Sequence, residues 1–346
     1  MSEALVGQAP TGAPAPALAG ASPWQLARRR LRRNRIAMAM LIVLILIVVL
    51  SLAAPLYAVH VAHTNPFTSN LNGTTLVNGK TVPVMQPEIG GLGLGVTPIG
   101  PTGDPRHYLL GADNQGRDVA ARLLYGGRNS LLIGLAAALL TCTFGTLIGL
   151  IAGFFGGVTD GVLSRLLDVV WAFPVYLLAI SLSTVLITGG FSVGPLRIES
   201  GSLLLPIVII GVVFLPYVAR PIRAEVLSLR QSEFVEAATG LGASNWRLLR
   251  SEILPNVVTI VIVFFPIMMA IAMLTEAALS FLSIGVQPPD ASWGTIILDG
   301  QGLLYTRPAV AIAPGVAIVI TVLALNVLGD GVRDALDPRA KLRNAG

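Results

Sequence analysis

The sequence predicts an all-α polytopic membrane protein: six transmembrane helices, both termini cytoplasmic, and a small external loop that contains a β-hairpin. Three observations carry this. Apolar residues make up 54% of the 346 and charged residues only 12%, about half the charged share of a soluble domain. The mean hydropathy is +0.77. A soluble chain of this size could not cover its surface with so little charge, and a disordered one would leave too much apolar surface wet. Finally, the apolar residues fall in long uncharged runs, and a helix needs about 20 of them to cross the hydrocarbon core. The single cysteine, Cys142, excludes a disulfide framework or a cysteine-based zinc finger.

The runs come in order. Residues 36–56 form the first span, and 129–159 contain the second. Residues 169–196 contain the third, which should end near Thr188, before Gly189-Gly190. Residues 200–219, 253–275 and 308–329 supply the other three. None is so long that it must be split in two. Pro174, Pro206, Pro216, Pro266 and Pro314 fall inside spans, where neighbouring helices can satisfy the freed backbone groups. In the second span Gly134, Ala136, Ala137, Ala138, Gly145, Gly149 and Gly153 permit close helix approach.

Direction follows from the basic residues. With the N-terminus inside, the inner segments hold Arg28, Arg29, Arg30, Arg32, Arg33 and Arg35, then Arg165, then Arg220, Arg223, Arg230, Arg247 and Arg250, then Arg333, Arg339, Lys341 and Arg343. These are 16 of the 23 Lys and Arg residues, and the bias sets both termini in the cytoplasm. The net charge of +5 therefore reflects topology, since the arginines flank apolar runs, and no nucleic-acid partner is expected. A cleaved signal peptide is disfavoured because 35 residues precede the first apolar run. Residues 1–23, rich in Ala, Pro and Gly, should be a disordered tail. Residues 24–128 hold the first span and an external loop, and 129–340 hold the remaining bundle.

Residues 57–128 lie outside. Thr75 to Val82 reads as a hairpin, because Asn78-Gly79 is a favoured type I′ turn pair flanked by Thr and Val. Gly79-Lys80-Thr81 imitates a phosphate loop, but five residues separate Gly73 from Gly79 and Pro83 forbids the helix that should follow. His60 and His63 stand without acidic or cysteine neighbours and read as loop residues. No metal, cofactor or catalytic group is expected.

The cytoplasmic loop 220–252 is the most informative segment. Val235, Ala238 and Leu241 recur at helical spacing, and Gly240 and Gly242 then break the helix. Ser244 is a suitable N-cap for a second helix over 245–254. Two short helices joined by a glycine turn are expected, apolar on one edge and carrying Glu233 and Glu236 on the other.

Glu236-Ala237-Ala238, Gly242 four residues later and Ile253-Leu254-Pro255 resemble the "EAA" loop of binding-protein-dependent ABC importer permeases. Leu110-Gly111-Ala112-Asp113 with Gly116-Arg117-Asp118 is similar to the outer segment of the C-type dipeptide and oligopeptide permeases. The same holds for Gly153-Phe154-Phe155-Gly156-Gly157, Glu276-Ala277-Ala278-Leu279-Ser280-Phe281-Leu282, Pro288-Pro289-Asp290-Ala291-Ser292-Trp293-Gly294 and the closing stretch from Asn326 to Arg339. Glu252, Ala112 and Ser283 depart from the family pattern, which often has His, Thr and Gly there. The resemblance implies a plasma-membrane permease subunit without active-site chemistry, importing di- or oligopeptides. It would form half of a pathway with a second homologous permease. Two separate ATP-binding ABC subunits would drive it through Glu236, Ala237, Ala238, Gly240 and Gly242, and an external substrate-binding protein would feed it. Relatives carrying nickel or glutathione keep those substrates open.

Two other classes compete. An ion-coupled carrier usually needs ionisable groups at membrane depth. Here Asp168 begins the third span and Glu276 lies near the outer end of the fifth, where it is expected to bond a neighbour's backbone. A membrane enzyme would need a catalytic constellation, and no HExxH or GxSxG pattern occurs.

Overall fold

The structure is a computed structural model and describes residues 23–77, 79–87, 95–193 and 196–336. The tail 1–22, Asn78 of the hairpin turn, Lys341 and the end of the closing motif at Asp337-Pro338-Arg339 lie outside the described residues.

The chain is largely helical. A short arginine-rich helix, α1 (Pro23–Arg33), leads into α2 (Arg35–Leu52), which is the first span. The Asn34 side chain separates them by accepting a hydrogen bond from the Ala37 amide at 3.1 Å, the ordinary way to satisfy a free donor at a helix start. A turn of helix, α3 (Ala54–Tyr57), closes the span. The external segment follows as two hairpins, β1 (Thr74–Val77) with β2 (Lys80–Pro83), and β3 (Met85–Pro87) with β4 (Val96–Pro98). Val77 pairs with Lys80, and Gly79 sits at φ +78°, so the two-residue turn stands at the expected register. Val84, Ile99, Tyr108 and Ala112 form a small core beneath.

Asp118 then caps α4 (Val119–Phe155), its carboxylate accepting from the Ala120 and Ala121 amides at 2.8 and 3.1 Å. The helix starts ten residues before the uncharged run because this cap and the ion pairs described below stabilise its charged first turns. It is the central element and packs against α2 and against α7, α8, α11 and α12, introduced next.

Two spans are bent, contrary to the expectation of unbroken runs. The third is α5 (Gly157–Trp171) and α6 (Val175–Gly189), which meet at 84°. Pro174 lacks a donor and disfavours helical geometry in Phe173, so the helix cannot pass through. The span ends at Gly189, as expected, and a hairpin, β5 (Phe191–Val193) with β6 (Leu196–Ile198), follows it. The fourth is α7 (Leu204–Val213) and α8 (Leu215–Arg230), bent by 41° at Phe214 ahead of Pro216. Among the described residues α2, α4, α11 (Leu254–Phe281) and α13 (Ala309–Leu336) are the continuous helices long and apolar enough to span, four in all, or six when each bent pair is counted as one span.

The loop 220–252 is shorter than the charges suggest. Residues 220–230 continue α8, and α9 (Glu233–Gly240) follows at once. The second short helix does not stop at residue 254. It begins as α10 (Asn245–Arg247), widens over Leu248–Ile253, and runs on into α11. Pro255 has no amide to donate, and the wider turn precedes it. Between α11 and α13 in the chain, α12 (Trp293–Gln301) packs against both and against α4, with Trp293 and Ile296 in the core.

The second span's small residues form a tight seam. A Cβ on Gly149 would lie 2.7 Å from the Ala219 oxygen, and one on Gly153 would lie 2.8 Å from the Val226 side chain. The backbones of α4 and α8 therefore touch where any larger residue would separate them.

Candidate functional site

The inner loop ends α9 in a manner that explains its glycine. The Ala243 amide donates to the Ala238 carbonyl at 3.1 Å, and the Gly242 amide donates to Thr239 at 2.9 Å. This is a Schellman closure, and it needs a left-handed residue at the position of Gly242, whose φ is +80°. A Cβ there would meet nothing within 4 Å. The cost of a substitution is thus conformational, and the surrounding space is open. Ser244 caps the following helix as expected, its hydroxyl accepting from the Arg247 amide at 3.4 Å.

The expected apolar edge is divided. Val235 is buried against the bundle and Ala238 packs beside it. Leu241 points the other way, 89% exposed, and Trp246 is 70% exposed. Phe234 is also exposed. Of the five residues singled out, Glu236, Ala237, Gly240 and Gly242 are solvent-facing, whereas Ala238 turns inward. Glu236 borders a cleft of about 450 Å³ with Arg230, Phe154 and Leu248. The loop is rigidly founded on one side and bare and apolar on the other.

The outer face is built differently. Asp113 accepts from Arg117 Nε at 2.8 Å and from Arg122 Nη1 at 2.6 Å. Asp299 of α12 accepts from Arg117 Nη2 at 2.9 Å and Arg122 Nη2 at 2.8 Å. Asp113 also accepts from the amides of Gln115 and Arg117. Two carboxylates and two guanidinium groups thus close on each other, tying the outer loop to α4 and α12. Burial lifts the Asp299 carboxyl to about 6, outweighing the lowering by Arg117. Asp113 and Arg117 belong to a motif recognised in the sequence, but their partners were missed. Arg122 and Asp299 carry no local signal, being joined only across 177 residues of chain.

Beneath this knot Glu276 is fully buried. It bonds side chains, not the backbone expected: Ser280 Oγ donates to it at 2.7 Å and Ser130 Oγ at 2.9 Å. Those hydroxyls in turn accept from the amides of Val286 and Trp293. The carboxyl therefore joins α4, α11 and the start of α12. Asp168, placed at the start of the third span, sits near the end of α5 and pairs with Arg220 at 2.7 Å. Ser283 has φ +64°, so the family's frequent glycine at this position has a conformational reason.

Comparison with known proteins matches this architecture. The family described as binding-protein-dependent transport system inner membrane component covers residues 145–342. The N-terminal TM domain of oligopeptide transport permease C covers 22–74. The chain belongs to the binding-protein-dependent transport system permeases, multi-pass proteins of the inner membrane. A glutathione transport system permease protein of Pectobacterium atrosepticum is 38% identical over 68% of this chain and 73% of its own length. A dipeptide transport system permease protein of Alkalihalophilus pseudofirmus is 38% identical over 69% of this chain and 74% of its own. A glutathione permease protein of Escherichia coli is 36% identical over 69% and 75%.

Proposed function

We propose that this chain is the permease subunit of an ATP-driven importer for short peptides, di- and oligopeptides or glutathione, and that it contributes half of the translocation pathway. The relatives named above are dipeptide and glutathione permeases, which supports the substrate class. The chain performs no chemistry of its own in this reading. A pair of separate ATP-binding ABC subunits hydrolyses ATP, a second homologous permease completes the pore, and an external binding protein selects the substrate.

The observation that carries the reading is the inner loop. Leu241 and Trp246 are large, apolar and exposed on a turn held firmly from behind. A cytoplasmic surface of this kind gains free energy when a protein groove covers it. Glu236 adds a charge that can accept a charge-assisted hydrogen bond from the groove. Gly240 and Gly242 keep the turn narrow. Closure of the ATPase pair would press on α9, and because α10 and α11 form one continuous helix, a push there reaches the outer end of the fifth span.

Reconstitution tests this. With both ATPase subunits, the partner permease and the binding protein, liposomes should accumulate labelled dipeptide only when ATP is supplied. Uptake by the isolated chain, driven by an ion gradient alone, would refute it and favour a carrier.

A further inference from the structure

The first helix carries an inference that is independent of the coupling reading. Six arginines lie within residues 28–35, and no acidic residue occurs between residues 4 and 87. The helix α1 presents two faces. Ala27 is buried, and Leu31 and Asn34 approach Gly331 near the end of α13. Arg28, Arg29, Arg32 and Arg33 are exposed on the other face. Arg28 with Arg32, and Arg29 with Arg32 and Arg33, stand three or four residues apart and so are neighbours on one broad face. With Gln25 and Leu26 they line a concavity of about 480 Å³. Asp330, Arg333 and Asp334 are the charged groups of α13's last turns. Even so, Arg28, Arg29, Arg32 and Arg33 form no ion pair among the described residues.

What stands beside this concavity identifies its occupant. Of the four unbent spans, the one that begins two residues later is the least covered by this chain, with 11% of its apolar window buried. Ile36 is 67% exposed and Ile42 63%, so this chain leaves α2 uncovered from its first turn. Trp24, half exposed at the start of α1, is the residue type that settles at headgroup level. The arginines therefore stand at the start of an apolar span that this chain leaves exposed, where a bilayer places its headgroups. Four guanidinium groups without an ion-pair partner among the described residues can take anions there. Each can grip a phosphate with two parallel N–H donors.

We propose that α1 is an interfacial helix whose arginine-lined concavity binds the phosphate headgroup of an anionic phospholipid of the cytoplasmic leaflet. The acyl chains would lie along α2. Basic clusters next to a span attract anionic lipid. The bound lipid would fix α1 in the membrane plane and brace the end of α13 that packs against it.

The test uses the purified full-length chain equilibrated with equal amounts of phosphatidylglycerol and phosphatidylcholine. Lipid retained after dilution is counted by native mass spectrometry. Wild type should retain phosphatidylglycerol over phosphatidylcholine by about tenfold or more. Replacing Arg28, Arg29, Arg32 and Arg33 together by Gln should abolish the preference. A second variant, with Lys at the same four positions, keeps the charges that orient the span. It should insert normally and show a preference reduced about threefold, since an ammonium cannot grip bidentately. Inorganic phosphate should not displace the lipid, because it lacks the chains that lie on α2. Equal retention of the two lipids by wild type, or an undiminished preference in the Lys variant, would overturn the proposal. So would displacement by phosphate alone, or cross-linking of position 29 to an ATPase subunit in place of lipid.

Discussion

The two ends of the bundle solve the problem of polar groups in opposite ways. At the outer end Asp113, Arg117, Arg122 and Asp299 satisfy one another, and Glu276, Ser130 and Ser280 do the same just beneath. At the inner end the loop around Gly242 makes only its own backbone closure and leaves Leu241 and Trp246 bare. The outer end is paired within one chain except at Arg122 Nε, which is buried without a partner among the described residues. The inner end is preorganised but uncovered, as a surface awaiting a partner should be. A knot of buried charge resists change, whereas an exposed turn can be altered without disturbing the bundle that carries it.

That contrast can be broken most forcefully at Arg122. Its replacement by Met leaves Arg117 as the one cation between Asp113 and Asp299, and removing one partner of a buried pair costs about 3–5 kcal/mol. Thermal unfolding in detergent should show a large drop in midpoint, with loss of the outer loop's protection from protease. A melting curve like that of wild type would mean the knot is ornamental.

The seam between α4 and α8 comes next. Gly149→Ala places a Cβ 2.7 Å from the Ala219 oxygen, and overpacking of this kind costs roughly 1–3 kcal/mol. Calorimetry on the purified chain should resolve it, and no loss would show that the two helices part easily.

A smaller effect is expected from pH. The Asp299 carboxyl titrates near 6 in the folded protein, above the ordinary value near 4 of an unfolded chain. Between those values the folded state holds a proton that the unfolded state has released. Stability from this group should therefore decline as pH rises from about 4 to 6 and then level off. Burial lifts the Asp118 carboxyl too and adds a slope of the same sign. Asp299→Asn should remove its share of that slope, read from midpoints across the range. An unchanged slope would show that Asp299 ionises normally.

Much of the fold was legible because membrane helices leave a coarse signal. Uncharged runs located the four continuous spans and the two bent pairs, and the hairpin register followed from Asn78-Gly79. Ser244 and Gly242 announced a cap and a closure. The bends at Pro174 and near Pro216 were less legible, because proline inside a span is as compatible with a kink as with a break. The continuity of α10 with α11 was hidden by Pro255, which read as a boundary. The division of the apolar edge, Val235 inward and Leu241 outward, needed the bundle behind it to be seen. Glu276 was noticed as an isolated charge, but its hydroxyl partner Ser130 lies on another helix. Arg122 with Asp299 was beyond reach for the same reason: the pairing is made by topology, and nothing near either residue encodes it.

The smallest structural effect should have the largest functional one. Gly242→Asp costs about 1–2 kcal/mol for a left-handed residue with a side chain, and Leu241→Glu leaves the turn intact while placing a charge where an apolar contact is expected. The direct measurement is co-purification of the ATPase subunits with each variant, alongside the amount of permease in the membrane. Both variants should accumulate like wild type yet fail to retain the ATPase subunits or support uptake. Retention at wild-type yield with normal uptake would contradict the coupling role assigned to this loop.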